Sequence, residues 1–276
     1  MNPDALKAAV FLETFFPLLE EFVSSKTGLK MLSGGMKSVQ IEVERERLAR
    51  QVAVVRGELK TGAGIVENPS LVLRFQSLEQ LGALLGGKTA AFPALKRRTP
   101  DVFTAALIAA ASALMGATLH PSVPLFARSD RKLRAKLLLH AASYAMESVA
   151  RLDPQIRSVI RDVNGEIVQI GVLPAGPFIH LALNPGAVAA HRGAHPAPHA
   201  RVLFENLDAF HDLVAGKADP VNAYLARRIF IEGESVLALM AAFILQRAAS
   251  VLSQRAQNAL PAPRPVAERA PSAPPS

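Results

Sequence analysis

The chain has 276 residues, a formal charge of +8, an apolar half, and neither cysteine nor tryptophan. That length holds one large or two small packed domains, and the missing cysteine excludes a disulfide framework, a thiolate nucleophile and a Cys-ligated metal. The positive balance suits anionic partners, but the basic residues are scattered in short clusters, at Lys96–Arg97–Arg98, between Arg128 and Arg134, and at Arg227–Arg228. No basic stripe interleaved with aromatics supports a nucleic-acid partner.

The first 30 residues predict a helix from Pro3 to Lys30. Leu6, Val10, Phe11, Phe15, Leu18, Leu19 and Phe22 recur at three- and four-residue steps, and Pro17 is expected to kink or split it. Asp4, Glu13, Glu20 and Glu21 interrupt the apolar pattern, which is not the order of a secretory signal. Alternation predicts strands over Lys37–Glu44, Gln51–Leu59 and Ser70–Phe75. A short helix, Leu78–Leu85, stops at Gly86–Gly87. An apolar helix then spans Pro100–Met115. Val102–Leu119 is the best candidate for a membrane span, but its length and alanine content favour a buried helix.

A proline-bounded link, His120–Pro124, leads to a helix from Ser129 to Leu152, ended by Asp153–Pro154. Strands are predicted over Ser158–Asp162, Glu166–Leu173, Phe178–Leu183 and Ala200–Phe204, with Asn164–Gly165 as the turn of a hairpin. A helix over Leu207–Val214 stops at Gly216–Lys217, and Asp219–Pro220 opens another. Strand Ile229–Ile231, the turn Glu232–Gly233–Glu234 and a helix from Glu234 to Leu252 follow. Pro261–Ser276 has the composition of a disordered tail.

Residues 71–95, set against residues 201–225, align at an offset of 129 over Phe75–Lys88, placing Phe75 on Phe204, Leu78 on Leu207 and Gly87–Lys88 on Gly216–Lys217. One residue later the offset becomes 130, and Arg97–Arg98 meets Arg227–Arg228. The pattern reads as a duplicated domain: a degenerate copy over 1–122, a second over 125–255 and a tail over 256–276. Where the second copy has Ile229–Ile231, the first has Thr99–Pro100–Asp101, so that strand is expected to be lost.

The run Val202–Phe204, Leu207–Val214, Ala215–Gly216–Lys217–Ala218–Asp219–Pro220, Val221–Leu225, Ile229–Gly233 and Ser235–Leu245 resembles the C-terminal half of the sterol carrier protein 2 (SCP2) family. Arg227–Arg228 and the proline-rich stretch from Ala187 to Pro198 depart from it. The resemblance implies an α+β fold, an antiparallel sheet covered by helices on one face. It also implies an apolar cavity for a fatty acid, fatty acyl-CoA, sterol or polyprenyl quinone intermediate. On that reading Phe210, Leu213, Ile229, Ile231, Leu237, Met240, Phe243 and Ile244 face the ligand, with Met240 the adaptable member. No catalytic residue, metal or cofactor is implied, and the alternatives are a scaffold with filled cavities or an accessory factor in quinone biosynthesis. The expected setting is the cytoplasm, with peripheral contact to an anionic membrane surface; self-association is left open.

His191, His195 and His199 recur at four-residue steps, but Gly193, Pro196 and Pro198 forbid the helix that would make this metal-ligand spacing. His211 reads as a surface histidine. No phosphate-cradling loop or nucleophile elbow is present, so no enzyme is expected.

Overall fold

The computed structural model describes residues 3–25, 38–55, 58–85, 93–97, 131–214 and 217–253. The predicted helix Pro100–Met115, the 120–124 link, the stop at Gly86–Gly87, Gly216 of the stop Gly216–Lys217, and the tail lie outside them. The first half runs α1 (Pro3–Ser25), β1 (Ser38–Val43), β2 (Leu48–Val55), β3 (Glu58–Ala63), β4 (Leu71–Phe75), α2 (Leu78–Leu85) and β5 (Ala94–Arg97). The second runs α3 (Arg131–Leu152), α4 (Pro154–Val159), β6 (Glu166–Val172), β7 (Phe178–Asn184), β8 (Ala187–Arg192), β9 (Ala200–Phe204), α5 (Leu207–Val214), α6 (Pro220–Leu225), β10 (Ile229–Gly233) and α7 (Ser235–Ser253).

The fold is α+β, with one five-stranded sheet per half, ordered β3-β2-β1-β4-β5 and β10-β9-β6-β7-β8. The expected purely antiparallel sheet is corrected at one pair in each: β1 runs parallel to β4, and β6 to β9. The fourth strand of each half crosses back beside the first, and a crossover makes neighbours parallel. Counted within its own half, each strand has the same neighbours and the same pairing sense.

The likeness extends to single hydrogen bonds at a constant spacing of 129 residues. Gly64 N–H donates to Ala49 O (3.0 Å) and Gly193 N–H to Phe178 O (2.9 Å). Val66 N–H donates to the Gln40 side chain (2.7 Å) and His195 N–H to the Gln169 side chain (2.8 Å). Ser77 and Asn206 cap α2 and α5 through the N–H groups of Gln80 and Ala209. Gly64 and Gly193 both adopt positive φ, 98° and 87°.

The lost strand is not lost. β5 pairs antiparallel with β4 as β10 does with β9, and Arg97 opposes Leu71 as Gly233 opposes Ala200. The strand lies upstream of Pro100, so the proline does not interrupt it. The Arg-Arg alignment therefore does not mark equivalent strand positions.

Other expectations shift in ways that packing explains. α1 runs through Pro17 as one 23-residue helix. It is buried on two faces, and that burial outweighs a local cost of about 3 kcal/mol. The predicted strand Gln51–Leu59 is two strands, with Val55 opposite Glu58. Ser158–Asp162 is no strand: Asp153 caps α4 by accepting from Gln155 N–H (2.9 Å), and Ile156 and Ile160 are buried at helical spacing. Gly165 instead leads into β6 with φ 80°, its N–H donating to Leu183 O (2.9 Å), so Asn164–Gly165 joins no strand pair. β8 occupies the first part of the stretch read as a proline-rich insert, pairing with β7 from Ala187 to Arg192.

The helices lie between the two sheets. α1 packs on β2 and β3, α3 on β7 and β8, α7 on β6 and β9, and α1 and α3 pack on each other. One hydrophobic cluster joins the first sheet to Leu12, Phe16, Leu19 and Phe22 of α1, and also takes in Leu137 of α3. The other joins the second sheet to α3, α5 and α7, and takes in Leu6 and Val10 of α1. α1 and α3 thus each bury one face in their own half and another in the opposite half.

Candidate functional site

The residues expected to face a ligand fall into three layers of the second half. Phe210, Ile229, Leu237 and Ile244 are buried in one continuous cluster with Ile170, Leu181 and Phe204. The Phe204 and Phe210 rings meet edge to face at 5.1 Å. Leu213 and Met240 are half-buried against that cluster. Ile231 and Phe243 stand outside it, 38 % and 47 % exposed. The set is therefore spatially graded rather than gathered on one surface.

Local sequence explains the grading. α7 places Leu237, Ala241, Ile244, Ala248 and Val251 inward at three- and four-residue steps. Val236, Leu239 and Phe243 fall on the opposite side and are exposed although apolar. α6 adds exposed Val221, Tyr224 and Leu225 beside β10. Tyr224, Leu225, Ile229, Phe230 and Ile231, with Arg227 and Glu232, line an open cleft of about 440 Å³. Asp219 caps α6 by accepting from the N–H groups of Val221 and Asn222 (both 3.0 Å). Asp212 at the end of α5 takes the Arg228 guanidinium (2.8 Å), which holds its carboxyl below the usual range.

A polar cluster that sequence reasoning missed fills the seam between α1 and α3. Glu21 accepts from His140 Nδ1, lies 2.7 Å from Lys136 Nζ and 3.8 Å from an Arg192 nitrogen. Glu21 and His140 are only 5 % and 2 % exposed. Burial pushes the Glu21 carboxyl up, but the hydrogen bonds and charges of His140 and Lys136 outweigh it and hold the group at about 2. Arg192 Nε donates to the Tyr144 hydroxyl oxygen (2.8 Å). Glu13 of α1 pairs with Arg50 of β2 (3.2 Å) and with Arg151 of α3. Glu13, Arg50 and Arg151, with Leu12, Phe16 and Tyr144, border a cleft of about 320 Å³ between the halves. The only trace in the sequence is an acid inside an apolar helical pattern.

The histidines are placed differently from their spacing. His191 lies on β8 and stacks on His180 of β7 at 4.9 Å, and His195 follows in the loop, 5.1 Å from His180. His199 Nδ1 accepts from Ile167 N–H (2.9 Å). Among the described residues no group of metal-ligating side chains is placed to hold an ion. His211 is half-buried and Nε2–H donates to Arg131 O (3.2 Å); burial draws its pKa down.

Part of the chain is similar to solved structures. "UbiJ-SCP2 Ubiquinone synthesis protein" is 9 % identical, with a TM-score of 0.32, over 41 % of this chain and 96 % of that one. Sterol Carrier Protein 2 from Yarrowia lipolytica, apo form, is 18 % identical with a TM-score of 0.30, over 40 % and 90 %. The sterol carrier protein domain 2 of Helicoverpa armigera is 18 % identical with a TM-score of 0.32, over 41 % and 88 %. No known family profile matches the chain, and no curated protein matches it. No described helix is long and apolar enough to cross a membrane.

Proposed function

We propose that this protein is a tandem pair of SCP2-like units that binds a hydrophobic lipid without catalysing a reaction. The repeat is supported by two sheets of one strand order and by matched hydrogen bonds at a spacing of 129 residues. The SCP2 reading is supported by the motif from Val202 to Leu245, each of whose described elements forms where the motif puts it.

The observation that carries the lipid reading is the placement of apolar surface. Nine of the twelve exposed large hydrophobic side chains among the described residues lie between Val214 and Leu245. That concentration is what a mark of contact with an apolar partner looks like on a folded surface. Beneath it lies the apolar layer of Phe210, Ile229, Leu237 and Ile244. A guest drawn between α5 and α7 leaves water at about 25 cal/mol per Å² of apolar surface. Fatty acid, fatty acyl-CoA, sterol and polyprenyl quinone intermediates all fit that chemistry. The basic balance of the chain favours approach to an anionic membrane surface.

The second reading is a scaffold, and one observation favours it: the inner layer is filled, with Ile244 wholly buried. Native mass spectrometry of the purified protein, with organic extraction and lipid identification, separates the two. A defined apolar molecule at one or two per chain supports the carrier. A mass equal to the bare chain, with no uptake of fatty acid, sterol or quinone probes, moves the scaffold to first place.

A further inference from the structure

β10 is the outer strand of the second sheet, and its backbone divides into two sets. Arg228 O accepts from Glu205 N–H (3.0 Å) and Glu234 N–H donates to His199 O (3.0 Å). In the antiparallel register with β9, the even-numbered residues 228, 230, 232 and 234 therefore face β9 with their backbone groups. Ile229, Ile231 and Gly233 turn theirs outward, where no described residue meets them.

Two other outer strands are treated differently. On β3, Thr61 N–H donates to the Glu20 carboxylate (2.9 Å). On β8, Ala190 N–H donates to the Glu147 carboxylate (3.2 Å). In each a helix carboxylate occupies an edge donor, which blocks strand addition. Among the described residues β10 has no such plug, and it carries neither proline nor bulge. It presents Ile229–Phe230–Ile231 beside the open cleft lined by Tyr224 and Leu225. An unplugged apolar edge is a template for another strand.

The sequence of that edge fits its own copy. In Arg228–Ile229–Phe230–Ile231–Glu232, an antiparallel two-fold centred on Phe230 sets Arg228 opposite Glu232 of the second copy, and Glu232 opposite Arg228. Ile229 then meets Ile231 as a hydrogen-bonded pair, using the two outward sets of backbone groups. Phe230 meets its own copy as a non-hydrogen-bonded pair, where side chains come closest. Charge, apolar contact and backbone parity agree on one register. Arg228 already holds Asp212, and Glu232 holds Arg201 (3.2 Å); both keep exposed surface for a second partner.

We propose that β10 is a homodimer seam, at which two copies join their second sheets into one continuous ten-stranded sheet about a two-fold axis. The seam rests on the β10 edge and not on the lipid reading. Multi-angle light scattering of the full chain tests it, with a mass near twice 29.4 kDa expected at micromolar concentration. Ile231→Pro removes an outward N–H without touching the ladder to β9. It is expected to raise the dimer dissociation constant about a hundredfold with the circular dichroism unchanged, because each substitution counts twice across a two-fold.

Since the chain has no cysteine, Phe230→Cys supplies a single thiol at the axis. Mild oxidation is expected to yield a covalent dimer, whereas Lys60→Cys on the plugged β3 edge is not. If Ile231→Pro fails to fold, the cross-link decides. A wild-type mass of one chain up to 100 µM overturns the seam, as does a dimer that folded Ile231→Pro leaves intact and Phe230→Cys does not trap.

Discussion

Glu21 and His140 are 119 residues apart in sequence and share a buried contact at the seam of the two halves. Lys136 and Arg192 approach the same carboxylate, so one acid of α1 gathers three basic groups of the second half. Glu21→Ala leaves His140 buried without its partner and is expected to cost about 3 kcal/mol in urea denaturation. Glu21→Leu combined with His140→Phe removes both polar groups, and its cost is expected to be much smaller than the sum of the two single changes. Additive costs in that cycle would show that the two side chains do not interact.

The same carboxyl sets an acid limb. Its unfolded value is near 4.5 and its folded value near 2, so the folded state favours the ionised form. That stabilisation is whole above the unfolded value and is lost as pH falls through the folded one. About 3 kcal/mol is expected to disappear between roughly pH 5 and pH 2 in the wild type. In Glu21→Gln this part of the slope of stability against pH should vanish.

Asp153 does two jobs at one corner. One oxygen caps α4 and the other accepts from Arg247 Nε of α7 (2.7 Å). Asp153→Ala is expected to cost about 2–3 kcal/mol, while Asp153→Asn keeps the cap and costs about half as much. Thermal unfolding of the two variants separates the contributions; equal losses would mean that the cap contributes nothing.

Gly233 ends β10 in the left-handed region, φ 78°, and a Cβ there would lie 2.1 Å from the carbonyl oxygen of His199. Gly233→Ala is expected to destabilise the second half by about 2–4 kcal/mol, since neither strain nor clash can be relieved by a side chain. Hydrogen exchange should place the loss in β9 and β10.

The graded ligand set gives a direct test of the lipid reading. Phe243→Ser is expected to weaken uptake of a fluorescent fatty acid several-fold with stability within about 0.5 kcal/mol of wild type. Ile244→Ala, from the filled layer, should cost about 2–4 kcal/mol of stability. Unchanged uptake in Phe243→Ser would remove the outer face of α7 from the ligand path.

Much of this architecture was legible because it is local. Leu207–Val214 and Asp219–Pro220 carry their own caps and form as read, and the strand read over Ile229–Ile231 continues through the predicted turn to Gly233. What failed depended on distant partners. Asn164–Gly165 has the chemistry of a hairpin turn, but Ile156 and Ile160 pull the preceding residues into a buried helix. Ala187–Arg192 has one branched residue, Val188, and is held by β7 and by the Glu147 carboxylate. Ile231 and Ile244 look alike in sequence. One lies on an outer strand and one under the sheet, and only the strand order separates them. No window of sequence joins Glu21 to His140.

The exchange of faces between α1 and α3 makes the two halves indivisible. Leu6 and Val10 serve the second half, and Leu137 serves the first. Deleting either half therefore strips a wall from the other. The chain should melt in one step, and what the sequence counts as two the fold keeps as one.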